Sequence, residues 1–88
     1  MNLYDYSDYR EYLKDYFALQ KQNNRKFTHR FFAAKAQVGS PSFFKSVIEG
    51  KRNLTPTVAL NTAIALNLEE VESEYFVNLT AFNQTKSI

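Results

Sequence analysis

Between Phe27 and Asn53 the chain reads FTHRFFAAKAQVGSPSFFKSVIEGKRN, and this run constrains the fold more than any other. Thr28 offers a side-chain oxygen to the free N–H groups of a helix start. Phe31, Phe32 and Ala36 follow at helical spacing, which predicts a first short helix ending near Gln37. Gly39 accepts backbone angles that a Cβ disfavours, so a sharp turn is expected there. Ser40 reads as a cap and Pro41 as a first-turn residue whose missing N–H does no harm. SFFKSVIE then continues as a second helix, stopped by Gly50. Lys51, Arg52 and Asn53 follow at once.

Two short helices joined by a tight turn, here over about 28–50, form a helix-turn-helix, and such a pair lays its second helix in a DNA major groove. Charge distribution agrees with that reading. Residues 21–52 carry eight Lys and Arg against Glu49 alone, a local net charge of +7, whereas residues 1–20 and 53–88 are net −2 and −3. Cationic side chains gathered on one segment suit a phosphate backbone, because each phosphate they neutralise releases counterions.

On the second helix, about 41–49, Phe44, Val47 and Ile48 fit the core-facing spacing. Ser40, Pro41, Ser42, Phe43, Lys45 and Ser46 are then left outside as candidates for base contact. Phe43 has two readings: contact with a thymine methyl, or packing on a neighbouring helix. Thr28, His29, Arg30, Lys51, Arg52 and Asn53 are candidates for the sugar-phosphate backbone, which fixes register without reading sequence. His29 is the sole histidine and there is no cysteine, so no metal site is expected. Nor is a cofactor. No nucleophile–base pairing or glycine-rich phosphate loop stands in the sequence, and an enzyme is not expected.

The flanks read as further helices. Asp5 or Ser7 would cap the first, running to about Gln22 with Tyr9, Tyr12, Leu13, Tyr16 and Phe17 inward. A tyrosine row also suits base stacking, but the same helix is net acidic and would repel a phosphate backbone. Thr55 and Pro56 open a helix to Leu66 that is apolar nearly all round. Ala59, Thr62, Ala63 and Leu66 would back onto the helix-turn-helix, and Val58, Leu60 and Ile64 need a second surface, from this chain or a partner. A last helix, from about Leu68, would bury Val71, Tyr75, Phe76, Leu79 and Phe82, with 83–88 frayed. Its four glutamates read as a solvated acidic patch.

Eighty-eight residues make one small domain, 1–88. No apolar run reaches membrane-spanning length, and the N-terminus lacks a signal-peptide pattern. Together with the absence of cysteine, this points to the cytoplasm.

The run from Phe27 to Leu68 is similar to lambda-repressor-like, or XRE-type, helix-turn-helix domains. The shared features are the stop at Gly50, the following Lys51-Arg52, and the Leu66-Asn67-Leu68 close of the fourth helix. More narrowly, DYSDYREYLKDYF, SPSFFKSVIEGKRNLTP and EYFVNLTAFNQ resemble the N-terminal domain of the Fibrobacter succinogenes major paralogous family. The resemblance implies an all-α, compact five-helix domain. It also implies a transcriptional regulator that binds double-stranded DNA, often as a homodimer, with a larger C-terminal domain in a longer parent protein. Where typical repressors place Gln, Arg or Asn on the recognition helix, this chain has Pro41, Ser42 and Phe43, which offer few base-specific hydrogen bonds. A second reading, a protein-interaction or dimerisation module on the same fold, rests on Phe43 and the over-apolar fourth helix.

Overall fold

The computed structural model describes residues 1–85, whose regular elements are all helical, with no strand among them. A single 3-10 turn at Leu3–Asp5 precedes α1 (Tyr9–Asn23), α2 (His29–Lys35), α3 (Phe43–Ile48), α4 (Pro56–Ala65) and α5 (Glu70–Thr85). Asp8, rather than Asp5 or Ser7, caps α1, its carboxylate accepting from the Arg10 N–H at 2.9 Å. Thr28 and Thr55 cap α2 and α4 as their sequences predict. Phe27, just ahead of the Thr28 cap, packs on Phe32 with ring centroids 6.1 Å apart, a hydrophobic staple that sets the entry angle of α2.

An aromatic core holds the first three helices together. Phe32 of α2 lies 4.9 Å from Phe17 of α1 and 4.8 Å from Phe44 of α3, centroid to centroid and nearly edge to face. That geometry suits the ring quadrupoles and adds about 0.5–1.5 kcal/mol per pair to the burial itself. Tyr9, Tyr12, Leu13 and Phe17 are buried on α1 as the spacing predicts, with Tyr16 packed beside them. Phe31, expected inside, is instead 51% exposed. The inner face of this seven-residue helix is Phe32, Ala33 and Ala36, and Phe31 falls one position outside it.

The fourth and fifth helices pack chiefly on each other. Ala59, Thr62, Ala63 and Leu66 are buried on α4, but the main packing partner of that helix is α5 rather than the helix-turn-helix expected behind this stripe. On α5 the buried set is Ser73, Phe76 and Thr80, while Val71 and Phe82, expected inside, are 72% and 61% exposed. Small side chains on both facing stripes allow a close approach of the two axes. Val71 and Phe82 lie off this face, whereas Phe76 is fully buried against Tyr9 and Tyr12.

Three helices end with the same device. After α2, α3 and α4 the chain enters the left-handed region at Gln37 (φ 62°), Gly50 (φ 80°) and Asn67 (φ 60°). In each case two backbone N–H groups fold back onto carbonyls of the last turn, as in Val38 to Ala33 (2.8 Å), Lys51 to Ser46 (2.9 Å) and Leu68 to Ala63 (3.2 Å). Gly39, expected to make the turn, is not in the left-handed region; Gln37 is.

The start of α3 also differs from expectation. The Phe43 N–H bonds the Ser40 carbonyl at 3.2 Å, and Ser42 sits at φ −97°, ψ 8°, so Ser40 to Phe43 form a type I β-turn with Pro41 at its favoured second position. Ser42 is therefore the residue flanking the helix, and Ser40 and Pro41 precede it.

Asn83 and Gln84, expected to fray, are instead fixed at the end of α5. Gln84 grips both backbone groups of Leu54, accepting from its N–H (2.7 Å) and donating to its carbonyl (2.8 Å), and its amide oxygen also accepts from the Tyr9 hydroxyl at 2.6 Å. Asn83 accepts from the Tyr9 N–H and donates to the Ser7 carbonyl. Residues 86–88 of the expected frayed end lie outside the described residues.

Candidate nucleic-acid interface

The outer edge of α3 and the loop after it carry most of the residues proposed for contact. Pro41, Ser42 and Lys45 are exposed, and Ser40 and Ser46 are half-buried. Ser42 makes no side-chain capping bond, so its hydroxyl is not tied to the helix start. Phe44 and Val47 on the opposite side are fully buried in the core, which fixes the rotation of the helix.

Phe43 packs against the core while keeping part of its surface open. It is half-buried, edge-on to Phe44 at 5.1 Å, and its ring lies under the Arg52 guanidinium at 5.2 Å. The contact is a cation–π pair, which joins the first turn of α3 to the loop beyond its last turn. Arg52 is thus an exposed cation with a preferred seat. Lys51 forms an ion pair with Glu49 at 3.3 Å, and both side chains are well exposed. Such pairs are worth little in water and yield readily to a stronger anion.

Sequence reasoning missed the residue that holds this loop. Arg10, on α1, donates through Nη1 to the carbonyls of Val47 (2.5 Å) and Arg52 (2.7 Å), and through Nη2 to Asn53 Oδ1 (2.7 Å). The last carbonyls of a helix lack intrahelical donors, and a guanidinium fork satisfies several acceptors at once. Asn53, expected on a phosphate, has its amide oxygen engaged within the fold. No local pattern marks Arg10, because its partners lie 37 to 43 positions away.

At the start of α2, the Thr28 hydroxyl oxygen accepts from the Phe31 N–H at 3.0 Å, its capping role. Arg30 is exposed. His29 packs 4.8 Å from the Phe17 ring, and its Nδ1 is buried without a hydrogen-bond partner. Desolvation, then the nearby Lys21 and Lys45, push its pKa below the ordinary 6.5, while Glu49 opposes the shift. The imidazole of the free protein is therefore chiefly neutral at pH 7. That Lys21 and Lys45 both act on His29 places cations from α1 and α3 in one neighbourhood with the start of α2.

Among the described residues, no three His, Cys, Asp or Glu side chains gather as metal ligands, and no helix is long and apolar enough to cross a membrane. Compared with protein-family models, with curated proteins and with solved structures, the chain matches none.

Proposed function

We propose that this chain binds double-stranded DNA as a transcriptional regulator, with α2 and α3 acting as a lambda-repressor-like helix-turn-helix in the cytoplasm. The observation that carries the reading is the solvent-facing side of α3. There Ser42 and Lys45 stand open beside Lys51 and Arg52, on a loop braced from behind by Arg10. With α3 in the major groove, Lys45 and the Ser42 and Ser46 hydroxyls meet base edges, and Lys51 and Arg52 meet phosphates. The seven-residue connection, 36–42, is longer than the three or four residues typical of the motif. Its left-handed cap and its type I turn nevertheless leave little slack.

Selection from a random duplex library at moderate salt tests the proposal. Enrichment of a defined site supports it, and a palindromic winner would indicate a homodimer on two half-sites. Retention of every duplex alike, or of none, counts against it. A second reading, a protein-interaction module, is favoured by exposed Leu60 and Ile64 on α4. A longer parent protein with a C-terminal regulatory domain fits either reading.

A further inference from the structure

Between α4 and α5 runs a groove of about 550 Å³ that shares no lining residue with the basic segment. Leu60 (48% exposed) and Ile64 (62% exposed) form one wall, one helical turn apart. Leu68 and Val77 are half-buried along it, and Glu70 and Glu74 stand on the α5 side. Among the described residues neither glutamate makes an ion pair. Leaving two large aliphatic side chains in water is unfavourable by roughly 25 cal/mol for each Å² of apolar surface.

The charge around this groove decides what suits it. Residues 53–85 contain Glu69, Glu70, Glu72 and Glu74 and no Lys or Arg. A two-fold contact centred on this face would gather the acidic runs of both copies into one interface, since the same patch serves on each side. Like charges placed across an interface oppose association. Nucleic acid is excluded from the groove by the same sign. An apolar cleft beside a ridge of i, i+4 residues matches the helix-in-groove mode of recognition.

We infer that the α4–α5 groove docks an amphipathic helix of another protein, one with aliphatic residues on one face and Lys or Arg along the flank that meets Glu70 and Glu74. The site is separate from the basic edge of α3, so DNA and the helical partner bind at the same time.

Two short helical peptides with the same leucine pattern test this on the full chain, one flanked by lysines and the other by glutamates. The lysine peptide is expected to bind about tenfold or more tightly than its counterpart, with the difference shrinking as salt screens the charges. NMR shifts should centre on Leu60, Ile64 and Val77. Replacing both groove glutamates, Glu70→Gln with Glu74→Gln, should remove the preference between peptides without lowering the thermal midpoint appreciably. Leu60→Asn with Ile64→Asn should weaken both peptides by about tenfold, as the groove wall then offers two fewer aliphatic side chains. Equal binding of the two peptides, shifts confined to other faces, no binding of either, or a homodimer that covers Ile64 in light scattering and NMR would each overturn the inference. No DNA enters the measurement, so its failure and that of the DNA-binding proposal are told apart.

Discussion

Arg10 Nη1 lies 2.5 Å from the carbonyl oxygen of Val47, so the first helix adds a charged donor to a carbonyl that already accepts from the Gly50 N–H at the end of α3. The same guanidinium reaches the Arg52 carbonyl and Asn53, while the neighbouring Tyr9 bonds Gln84 and Asn83 at the end of α5. Two adjacent residues of α1 thereby anchor α3, the basic loop and the last helix.

Arg10→Ala should therefore lower stability by about 1–3 kcal/mol in urea unfolding, as expected for the loss of hydrogen bonds from a charged donor. Arg10→Lys should recover less than half of the loss, since one ammonium does not reproduce a planar fork. Duplex affinity should fall while the slope of log affinity against log salt stays unchanged, because Arg10 neutralises no phosphate in this arrangement. A reduced slope would mean that Arg10 itself faces the nucleic acid.

The helix ends give a sharper contrast. A Cβ built at Gly39 or at Gly50 meets nothing within 4 Å, so only backbone conformation distinguishes the two sites. Gly50 is left-handed at φ 80°, and Gly50→Ala should destabilise by about 1–2 kcal/mol. Gly39→Ala should be neutral or stabilising by up to about 1 kcal/mol through the unfolded chain. Gln37→Gly, at φ 62°, should stabilise by about 0.5–1 kcal/mol, the left-handed strain relieved less the entropy that glycine loses. Thermal or urea midpoints of the three variants check the order, and a destabilising Gly39→Ala would return the turn to that residue.

These three positions show how far local pattern reaches. Thr28, Thr55 and Pro56 are legible because a cap acts within four residues, and the buried face of α1 because its period is strong. Gly39 misleads because glycine marks where the left-handed region is easy, whereas the last turn of α2 puts Gln37 there. The inner face of α5 is hidden for a different reason. Size favours Val71 and Phe82, but α4 presents small residues, so the fit selects Ser73 and Thr80. Arg10, Asn83 and Gln84 are invisible, since their bonds connect residues 30 to 76 positions apart. At the candidate site the exposed edge can be read from periodicity, but the seat of Arg52 on Phe43 cannot.

Lys51→Ala with Arg52→Ala should weaken binding to all duplexes alike and reduce the salt slope by about 2, close to 0.9 for each phosphate no longer neutralised. Glu49 offers the opposite test. It is the sole acid of residues 21–52 and pairs with Lys51 at 3.3 Å. Glu49→Gln should raise affinity for every duplex several-fold at low salt, by freeing that ammonium and removing a repulsive charge. Fluorescence anisotropy across a salt series measures both, and unchanged slopes in the double variant would remove this loop from the interface. Lys45→Ala should instead alter which sequences are preferred.

His29 makes stability depend on pH with a definite sign. Burial, Lys21 and Lys45 hold its folded pKa below the 6.5 of an unfolded chain, so the unfolded state binds the proton more readily. The contribution is complete above pH 6.5 and is lost as pH falls through the folded value. His29→Phe keeps a ring beside Phe17, which lies 4.8 Å away, and removes the titration. Unfolding free energies of the two proteins should therefore converge or cross on acidification, with the wild type losing stability faster below pH 6.5. An NMR titration of the imidazole should give a midpoint under 6.5 in the free protein, moving upward when duplex DNA brings phosphates close. A midpoint at or above 6.5 without DNA would mean that the ring is solvated and that its Nδ1 is not buried.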